Sequence, residues 1–213
     1  FDIKPIDLAY YWKENSTELE FADFNWALLS LATTGGDAFN AAIHRSYELV
    51  ADTARIANDK ILVLPAKYWQ TQYNLSFDTF EGRNWVGNFA IAYQDFYGGN
   101  MKSLSSSLKY YFSKHFTASA EMELNQIHIR EQKVDILNVG AWADYAFSTT
   151  LSSGFFGQWN NSDQTAVVNL RVHWIPIPGG DVYFVMNQTY SANGIFRLDN
   201  TVVYAKAVWR FGL

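Results

Sequence analysis

The feature that most limits how this chain can fold is a strict two-residue alternation of side-chain character over positions 69–78. Successive side chains of a β-strand point to opposite faces, so this period predicts a strand with one apolar and one polar face. About ten residues is also the length of a tilted strand that crosses a bilayer. One set is Trp69, Thr71, Tyr73, Leu75 and Phe77, and the other is Gln70, Gln72, Asn74, Ser76 and Asp78.

The alternation recurs in eight further segments, which are separated by short polar or glycine-containing breaks. Such breaks are typical of hairpin turns. From Trp69 to the end, the pattern therefore predicts nine strands in an antiparallel up-and-down meander. The segments begin near Trp85, Leu104, Phe116, Val139, Leu151, Ala166, Val182 and Val203, and the clearest breaks are 81–84, 98–100, 113–115 and 176–181.

Upstream of Trp69 the pattern is less regular. Positions 19–31 predict a strand with a phase slip near Asp23, which we interpret as a β-bulge. Positions 41–51 are compatible with a strand or a short helix, and 52–60, with four charged residues, predict an exposed loop. We expect three or four strands in 1–68. The whole of 1–213 is predicted to be a single β-barrel domain or the C-terminal part of one.

The composition is unusual for a soluble domain. Aromatic residues make up 17% of the chain, yet the mean hydropathy is only −0.14. In a barrel wall, apolar residues facing lipid alternate with polar residues facing a lumen, so the two faces cancel in the average. The sequence has no run of about 18 apolar residues, which excludes a membrane-spanning helix and leaves a closed barrel as the way to cross a membrane.

The cysteine content and the net charge argue against several other classes of protein. The chain has no cysteine, which excludes a disulfide framework and a thiolate metal site, and we expect no cofactor. The net charge of −5 and a pI near 5.3 argue against a nucleic-acid partner. The chain begins Phe1-Asp2-Ile3-Lys4, without a methionine or a leader. This start predicts either a removed signal peptide or a missing upstream region.

A soluble β-sandwich also alternates, so it is the main competing interpretation. Three features favour the membrane. The segments are longer than soluble strands, which usually have about five or six residues. Aromatic residues also cluster at the ends of the segments, as in the girdles of membrane barrels. The last segment, 203–211, has Trp209 and Phe211 two residues apart and resembles the C-terminal signal of outer-membrane proteins, although Gly212 and Leu213 follow it. We therefore expect the chain in the outer membrane of a bacterial cell.

Several short motifs between 77 and 211, about two thirds of the chain, occur in the order and spacing of a known family. This part resembles the C-terminal barrel of an uncharacterised outer-membrane family that carries an N-terminal β-sandwich similar to carbohydrate-binding module family 9. The resemblance implies a barrel but no reaction, and the absence of the sandwich implies further upstream sequence or a divergent member. The motifs are Phe77-Asp78-Thr79, Phe96-Tyr97-Gly98-Gly99, Gln158-Trp159-Asn160, Asn169-Leu170-Arg171-Val172-His173-Trp174, Pro178-Gly179-Gly180-Asp181-Val182-Tyr183 and Val185-Met186-Asn187-Gln188.

The sequence thus predicts an all-β fold, a transmembrane antiparallel up-and-down β-barrel with about 12 to 16 strands in the complete molecule. The predicted lipid-facing and girdle residues are Trp69, Tyr73, Phe77, Trp85, Phe89, Tyr93, Trp174, Trp209 and Phe211. The predicted lumen-facing polar residues are Glu121, Glu123, Asn125, Asn169, Arg171, His173 and Lys206.

Two pairs of charged or polar residues are candidates for function. Glu121 and Glu123 share a strand face, and they form either an acidic lumen that selects cations or a polar solute, or ion pairs that fill the interior. We favour the ion pairs, with Lys109, Arg171 or Lys206 as partners. Arg171 and His173 also share a face, where they line a constriction or belong to a stiffening hydrogen-bond network.

An enzymatic alternative is a hydrolase embedded in the barrel, which needs a serine or a pair of aspartates together with a histidine at the rim or wall. Of His44, His115, His128 and His173, only His128, on one strand with Glu121 and Glu123, approaches such a group. Gln126, His128 and Arg130 are predicted to continue the lumen face, and no metal site is predicted. The glycine pairs at 98–99 and 179–180 predict turns, since neither opens a helix after a strand.

The preferred function is a channel, or a membrane anchor or scaffold for a periplasmic domain or partner. Outer-membrane lipid is the expected partner, with periplasmic or outer-membrane proteins as possible others. A component of a larger outer-membrane complex is the alternative, and the embedded hydrolase is the less favoured one, so we expect no enzymatic activity.

Overall fold

The computed structural model describes residues 7–12 and 19–210, which form β-strands, turns and loops. These residues include no helical segment that could serve as a membrane span. The strands are β1 (Asp7–Trp12), β2 (Leu19–Ala32), β3 (Ala38–Val50), β4 (Ala54–Ile56), β5 (Ile61–Val63), β6 (Ala66–Asp78), β7 (Trp85–Phe96), β8 (Gly99–Tyr111), β9 (Phe116–Ile129), β10 (Gln132–Ala146), β11 (Leu151–Asn160), β12 (Thr165–Trp174), β13 (Gly180–Ser191) and β14 (Arg197–Trp209).

Twelve of these strands form one sheet in the order β1-β2-β3-β6-β7-β8-β9-β10-β11-β12-β13-β14, and β4 and β5 form a separate hairpin. Apart from the excursion through β4 and β5, each strand is hydrogen-bonded to the strand before and after it in the chain. The predicted all-β, antiparallel up-and-down organisation is confirmed. Within residues 7–12 and 19–210, nine strands run from Ala66 onward, as predicted, and five precede them, three in the large sheet and two in the hairpin.

The described residues group into two compact units. Unit 1 comprises the described residues up to Ser106 together with Glu123–Leu137. Unit 2 comprises Ser107–Met122 and the described residues from Asn138 onward. Strands β8, β9 and β10 therefore contribute residues to both units.

In unit 1, the strand register aligns polar residues with polar residues. His44 of β3 lies opposite Gln72 of β6, which in turn lies opposite Gln94 of β7. The face that these three residues share is called the polar face. The next position along, with Tyr73 opposite Tyr93, belongs to the apolar face. The predicted alternation of strand faces thus extends across neighbouring strands.

The irregularities of β2 do not lie at Asp23, where the sequence pattern suggested a β-bulge. The register between β2 and β3 shifts between Ala27 and Leu29, and the register between β1 and β2 shifts between Leu19 and Phe21. The phase slip near Asp23 arises because Phe21 shares the polar face with Asp23 despite being apolar. Its ring lies 5.8 Å from that of Tyr11 on β1, which gives this residue an aromatic partner on the polar face.

Two other expectations upstream of position 69 are resolved. The segment predicted as strand or helix is strand β3. The segment 52–60 is mostly exposed, as predicted, but it is not a loop throughout, because it contains β4 and the turn to β5, with positive φ at Ala57, Asn58 and Asp59. The hairpin forms because one of its faces is apolar, and Ile61 and Val63 on that face are 0% and 2% exposed.

The turns 33–37 and 79–84 of unit 1 are joined by an ion pair. Nη1 of Arg83 lies 2.7 Å from Oδ1 of Asp37, and Nη2 donates a 2.8 Å hydrogen bond to Oδ2. The Phe80 N–H also donates to Oδ1 of Asp37, at 3.0 Å. The hydrogen bond from Arg83 and that from Phe80 hold the pKa of Asp37 below its ordinary value of 3.8.

In unit 2, the register brings a row of polar residues onto one face. Ser152 of β11, His173 of β12, Tyr183 of β13 and Lys206 of β14 lie opposite one another in turn. This face is the polar face of unit 2. One step along it, Asp144 lies opposite Gly154, which lies opposite Arg171.

Candidate functional site

The apolar face of the sheet is exposed. Of the residues predicted to face lipid or form girdles, the eight within the described part of the chain are 40–52% exposed: Trp69, Tyr73, Phe77, Trp85, Phe89, Tyr93, Trp174 and Trp209. Phe211 lies outside the described residues. Contacts within their own units cover these rings only in part, as for Trp69, which packs against Tyr47 with the centroids 5.1 Å apart and is still 51% exposed.

The polar face of unit 1 is linked by hydrogen bonds between strands. Nε2 of His44 lies 2.5 Å from Oδ2 of Asp23. Nearer the other end of β3, Oγ of Ser30 donates a 2.8 Å hydrogen bond to Oδ1 of Asn40, whose Nδ2 donates to Oδ2 of Asp78 at 3.4 Å. These side chains are partly buried, so the bonds satisfy polar groups that are only partly hydrated.

Two of the predicted lumen-facing residues lie together on this face of unit 1. Nδ2 of Asn125 donates a 2.7 Å hydrogen bond to Oε1 of Glu123. Oγ of Ser103 on β8 donates to Oδ1 of Asn125 at 2.6 Å. Glu123 is thus held by an amide two residues along the same strand.

At one end of unit 1 the polar face becomes apolar. Ile127 and Ile129 of β9 continue the face of Glu123 and Asn125, and they are 6% and 2% exposed. They pack with Ile61 and Val63 of the β5 strand in one apolar cluster. Other partly buried members of this cluster are Val50, Ala54, Ile56, Ala57, Tyr68, Phe96, Tyr97, Met101, Val134 and Ile136. The β4–β5 hairpin therefore covers the polar-face side of the strands at this end.

The prediction that Gln126, His128 and Arg130 continue the lumen face is wrong. Strict alternation through β9 places Gln126 and His128 on the face opposite Ile127 and Ile129. They line a pocket of about 390 Å³ together with Asn100, Lys102, Ile127, Lys133 and Asp135. At the end of unit 1 covered by the hairpin, the two faces of the sheet have exchanged their chemical character.

The polar face of unit 2 contains a cavity of about 500 Å³. Its charged and histidine side chains are Lys114, His115, Asp144, Arg171 and His173. The remaining lining residues are Thr117, Tyr145, Ala146, Ser152, Ser153, Gly154 and Tyr183. A space of this volume with several convergent polar groups matches the usual dimensions of a small-molecule site.

His173 is held rigidly in the wall of this cavity. Its Nε2 lies 2.9 Å from Oδ1 of Asp181. Its ring stacks on that of Tyr183 with the centroids 4.3 Å apart and the planes 3° from parallel. The carboxylate fixes one ring nitrogen and the tyrosine fixes the plane of the ring, so the imidazole has little freedom to reorient.

Arg171 and Asp144 approach each other over a glycine. A Cβ atom at Gly154 would stand 3.0 Å from Oδ1 of Asp144 and 4.0 Å from Nη2 of Arg171. The glycine lies between these two residues in the strand register. A side chain there would crowd the Asp144 carboxylate and fill part of the space between it and Arg171.

The other predicted lumen-facing residues of unit 2 are not among those that line the cavity. Asn169 donates a hydrogen bond from Nδ2 to Oδ1 of Asn187, and Lys206 lies opposite Tyr183. Glu121 lies over Gly140, where a Cβ atom would be 3.0 Å from its Oε1.

The predicted ion pairing of Glu121 is not found. In the described part of unit 2, Glu121 forms no ion pair with Lys109, Arg171 or Lys206. Gly140 leaves room for this carboxylate, and Nζ of Lys109 instead lies 4.8 Å from the centre of the Tyr111 ring. In the described part of unit 2, the predicted ion pairs of Glu121 are therefore not formed.

The cavity brings His115 near Ser152, Ser153 and Asp144, a grouping that spacing in the sequence did not suggest. Among the described residues, no hydrogen bond joins the His115 ring to either serine. A serine nucleophile is activated by such a bond. Over residues 7–12 and 19–210, no three His, Cys, Asp or Glu side chains are grouped as metal ligands.

No known family model matches this chain, and no curated protein matches it either. Two solved structures are similar to it at 8% identity. The structure titled "NanC porin structure in rhombohedral crystal form" has a TM-score of 0.40, with 90% of this chain and 94% of that chain covered. The structure titled "KdgM porin in complex with disordered oligogalacturonate" has a TM-score of 0.36, with 90% and 92% covered. Neither similarity is high enough to transfer a function to this chain.

Proposed function

We propose that this chain forms the wall of a β-barrel in a bacterial outer membrane and acts as a channel for polar solutes. Its apolar face would contact lipid, and its polar face would line a water-filled lumen. One observation carries the proposal: the large apolar side chains of the sheet are exposed, while the polar side chains between them are partly buried and hydrogen-bonded to one another.

This arrangement is the reverse of a soluble sheet, in which the apolar face is buried and the polar face is solvated. Over the described residues, buried apolar side chains are few, whereas exposed large ones occur along almost every strand of the sheet. A surface patch of this extent is stable in lipid and aggregates in water. In lipid, every backbone group must be paired internally, which a sheet achieves by closing into a barrel.

The exchange of face chemistry in unit 1 supports the same proposal. On the apolar side of the sheet, Lys102, His128 and Lys133 lie beyond Leu104 and Leu124 along their strands. Charged side chains on a lipid-facing surface are costly near the bilayer centre and tolerated at its edges. We infer that the strands extend beyond the bilayer into water at this end. There the hairpin and the strands bury an apolar cluster, as soluble proteins do.

A second candidate function is a closed barrel that anchors or scaffolds a periplasmic domain or partner. The observation that favours it is the β4–β5 hairpin, which covers the polar-face side of the strands at one end of unit 1. A hairpin in this position would narrow a lumen. Conductance distinguishes an anchor from a channel.

The test begins with the location of the full chain. We expect the protein to stay in the outer-membrane fraction after a carbonate wash and to need detergent for extraction. In a planar bilayer the purified protein should then give stepwise, ohmic current increments. A monodisperse protein without detergent would overturn the membrane assignment. Stable insertion without current would reject the channel in favour of the anchor.

A further inference from the structure

We propose that the cavity on the polar face of unit 2 binds the anionic group of a small solute, a carboxylate or a phosphate, through Arg171 and Lys114. This inference rests on the proposed channel, because it takes the polar face to line the path of the solute. It adds to the channel a site and a class of solute.

The charges around the cavity favour an anion. Lys114 and Arg171 both line it, and in the described part of the chain neither forms an ion pair or a side-chain hydrogen bond. By contrast, Arg83 is paired with Asp37, and Arg197 is paired with Asp199 at 3.2 Å. An arginine without a partner keeps its planar set of N–H donors for a ligand, and that set matches carboxylate and phosphate oxygens.

The acidic residues nearby do not cancel this charge. Oδ1 of Asp181 is engaged with Nε2 of His173 at 2.9 Å, so this carboxylate is directed to the histidine. Asp144 is the acidic residue in the cavity lining, and it approaches Arg171 over Gly154 without forming an ion pair. We infer that Asp144 accepts hydrogen bonds from hydroxyl groups of the solute while Arg171 and Lys114 bind its anion.

The walls of the cavity suit a ligand the size of a monosaccharide. Gly154 removes the side chain that would otherwise fill the space between Asp144 and Arg171. The stacked rings of His173 and Tyr183 form a rigid, flat side wall. Flat aromatic surfaces and a few fixed polar groups are the usual means by which small-molecule sites fix orientation. A sugar acid is therefore a suitable probe, and inorganic phosphate tests the anion alone.

The experiment measures binding and conductance on the same detergent-solubilised full chain. Calorimetric titrations use glucuronate, inorganic phosphate and, as the neutral counterpart, glucose. We expect glucuronate to bind and glucose not to bind, and Arg171→Gln to weaken glucuronate binding by at least about tenfold, as expected for loss of a charged hydrogen-bond donor. Lys114→Gln should weaken it less, and Arg171→Lys should recover part of the affinity.

The matched control is Arg197→Gln, which removes the same charge from unit 2 at a side chain 79% exposed and already paired with Asp199. It should leave glucuronate binding unchanged. Each variant is first checked for the same detergent-resistant folded band as the wild type, so that lost binding is not lost folding. The ratio of glucuronate to phosphate affinity shows which kind of anion the site prefers.

Equal binding of glucose and glucuronate, or unchanged glucuronate binding in Arg171→Gln, would overturn the inference. Conductance without anion binding would reject this site and leave the channel intact. Anion binding without conductance would support the site while rejecting the channel. In a conducting wild type, the reversal potential in a salt gradient should also shift toward cation selectivity when Arg171 and Lys114 are neutralised.

Discussion

The Tyr97 hydroxyl donates a 2.8 Å hydrogen bond to Oε2 of Glu48, which joins the turn after β7 to strand β3 in unit 1. The Tyr97 ring also meets Tyr68 edge to face, with the centroids 5.2 Å apart. Burial, followed by the hydrogen bond and the negative charge of Glu48, raises the pKa of Tyr97 to about 12. The hydroxyl is thus held neutral beside the cluster under the hairpin.

This relationship predicts an alkaline transition. The folded-state pKa of Tyr97 lies above the ordinary value of 10.0, so its contribution to stability is complete below pH 10 and is lost as the pH rises through about 12. The difference between the ultraviolet titration curves of the wild type and the Tyr97→Phe variant should show one tyrosine ionising near pH 12. In Glu48→Gln that pKa should fall but stay above 10, because burial is the larger cause. Ionisation of Tyr97 near pH 10 in the wild type would contradict this account.

A second prediction concerns the β4–β5 hairpin. Ile61 is fully buried in the cluster with Ile127 and Ile129. Ile61→Ala leaves a cavity and should cost about 2–5 kcal/mol of local stability. Trypsin should then cleave at Arg55 and Lys60 much faster than in the wild type. The control is Leu62→Ala, whose side chain is on the other, half-buried side of the same strand, and equal cleavage rates in the two variants would argue against a docked hairpin.

A third prediction tests the exchange of face chemistry along unit 1. Nitroxide labels at Tyr73 and Phe89 should be more accessible to oxygen than to a water-soluble nickel complex in reconstituted membranes. Labels at Lys102 and Lys133 should show the opposite preference, although they continue the same side of the sheet. The physical reason is that oxygen concentrates in hydrocarbon whereas the nickel complex stays in water. Nickel accessibility at all four positions would contradict lipid contact.

A fourth prediction concerns the pairing of Asp37 with Arg83. Since the folded-state pKa of Asp37 is lowered, its stabilising effect is present above the unfolded value of 3.8 and is lost as the pH falls through the folded value. Arg83→Gln should therefore unfold at a lower temperature than the wild type at pH 7, and the two should converge well below pH 3.8.

The control for this pair is Arg197→Gln, because Arg197 pairs with Asp199 on an exposed surface, where ion pairs contribute little. Its melting temperature should match that of the wild type at both pH values. A constant difference between Arg83→Gln and the wild type at all pH values would show that Arg83 acts through its position over Trp85 instead, where its guanidinium lies 5.7 Å from the ring centre.

Local alternation was sufficient to predict most strands, because the two faces of a strand are determined by neighbouring residues. Strand β6 was predicted from position 69 to 78 and runs Ala66–Asp78. The same rule failed where a residue's partner is distant in the chain. The apolar Phe21 lies on the polar face, where its ring meets Tyr11 of β1, and the hairpin that begins in the 52–60 segment packs on Ile127 and Ile129.

The candidate site was predicted only in part. Arg171 and His173 were identified from their shared strand face, and the structure adds Asp144, Lys114 and Gly154 to them. Asp144 and Arg171 are separated by one intervening strand, so their approach depends on the register of β10, β11 and β12. Spacing along the chain does not encode register across two hairpins.

The sequence by itself determined the all-β character, the succession of strands and the two chemically different faces, since all three depend on residues a few positions apart. Only the tertiary structure decided which polar groups meet, where the faces exchange their character and that the β4–β5 hairpin packs over Ile127 and Ile129. These outcomes arise from contacts between residues tens of positions apart, and such contacts depend on strand register and on the space that neighbouring side chains leave.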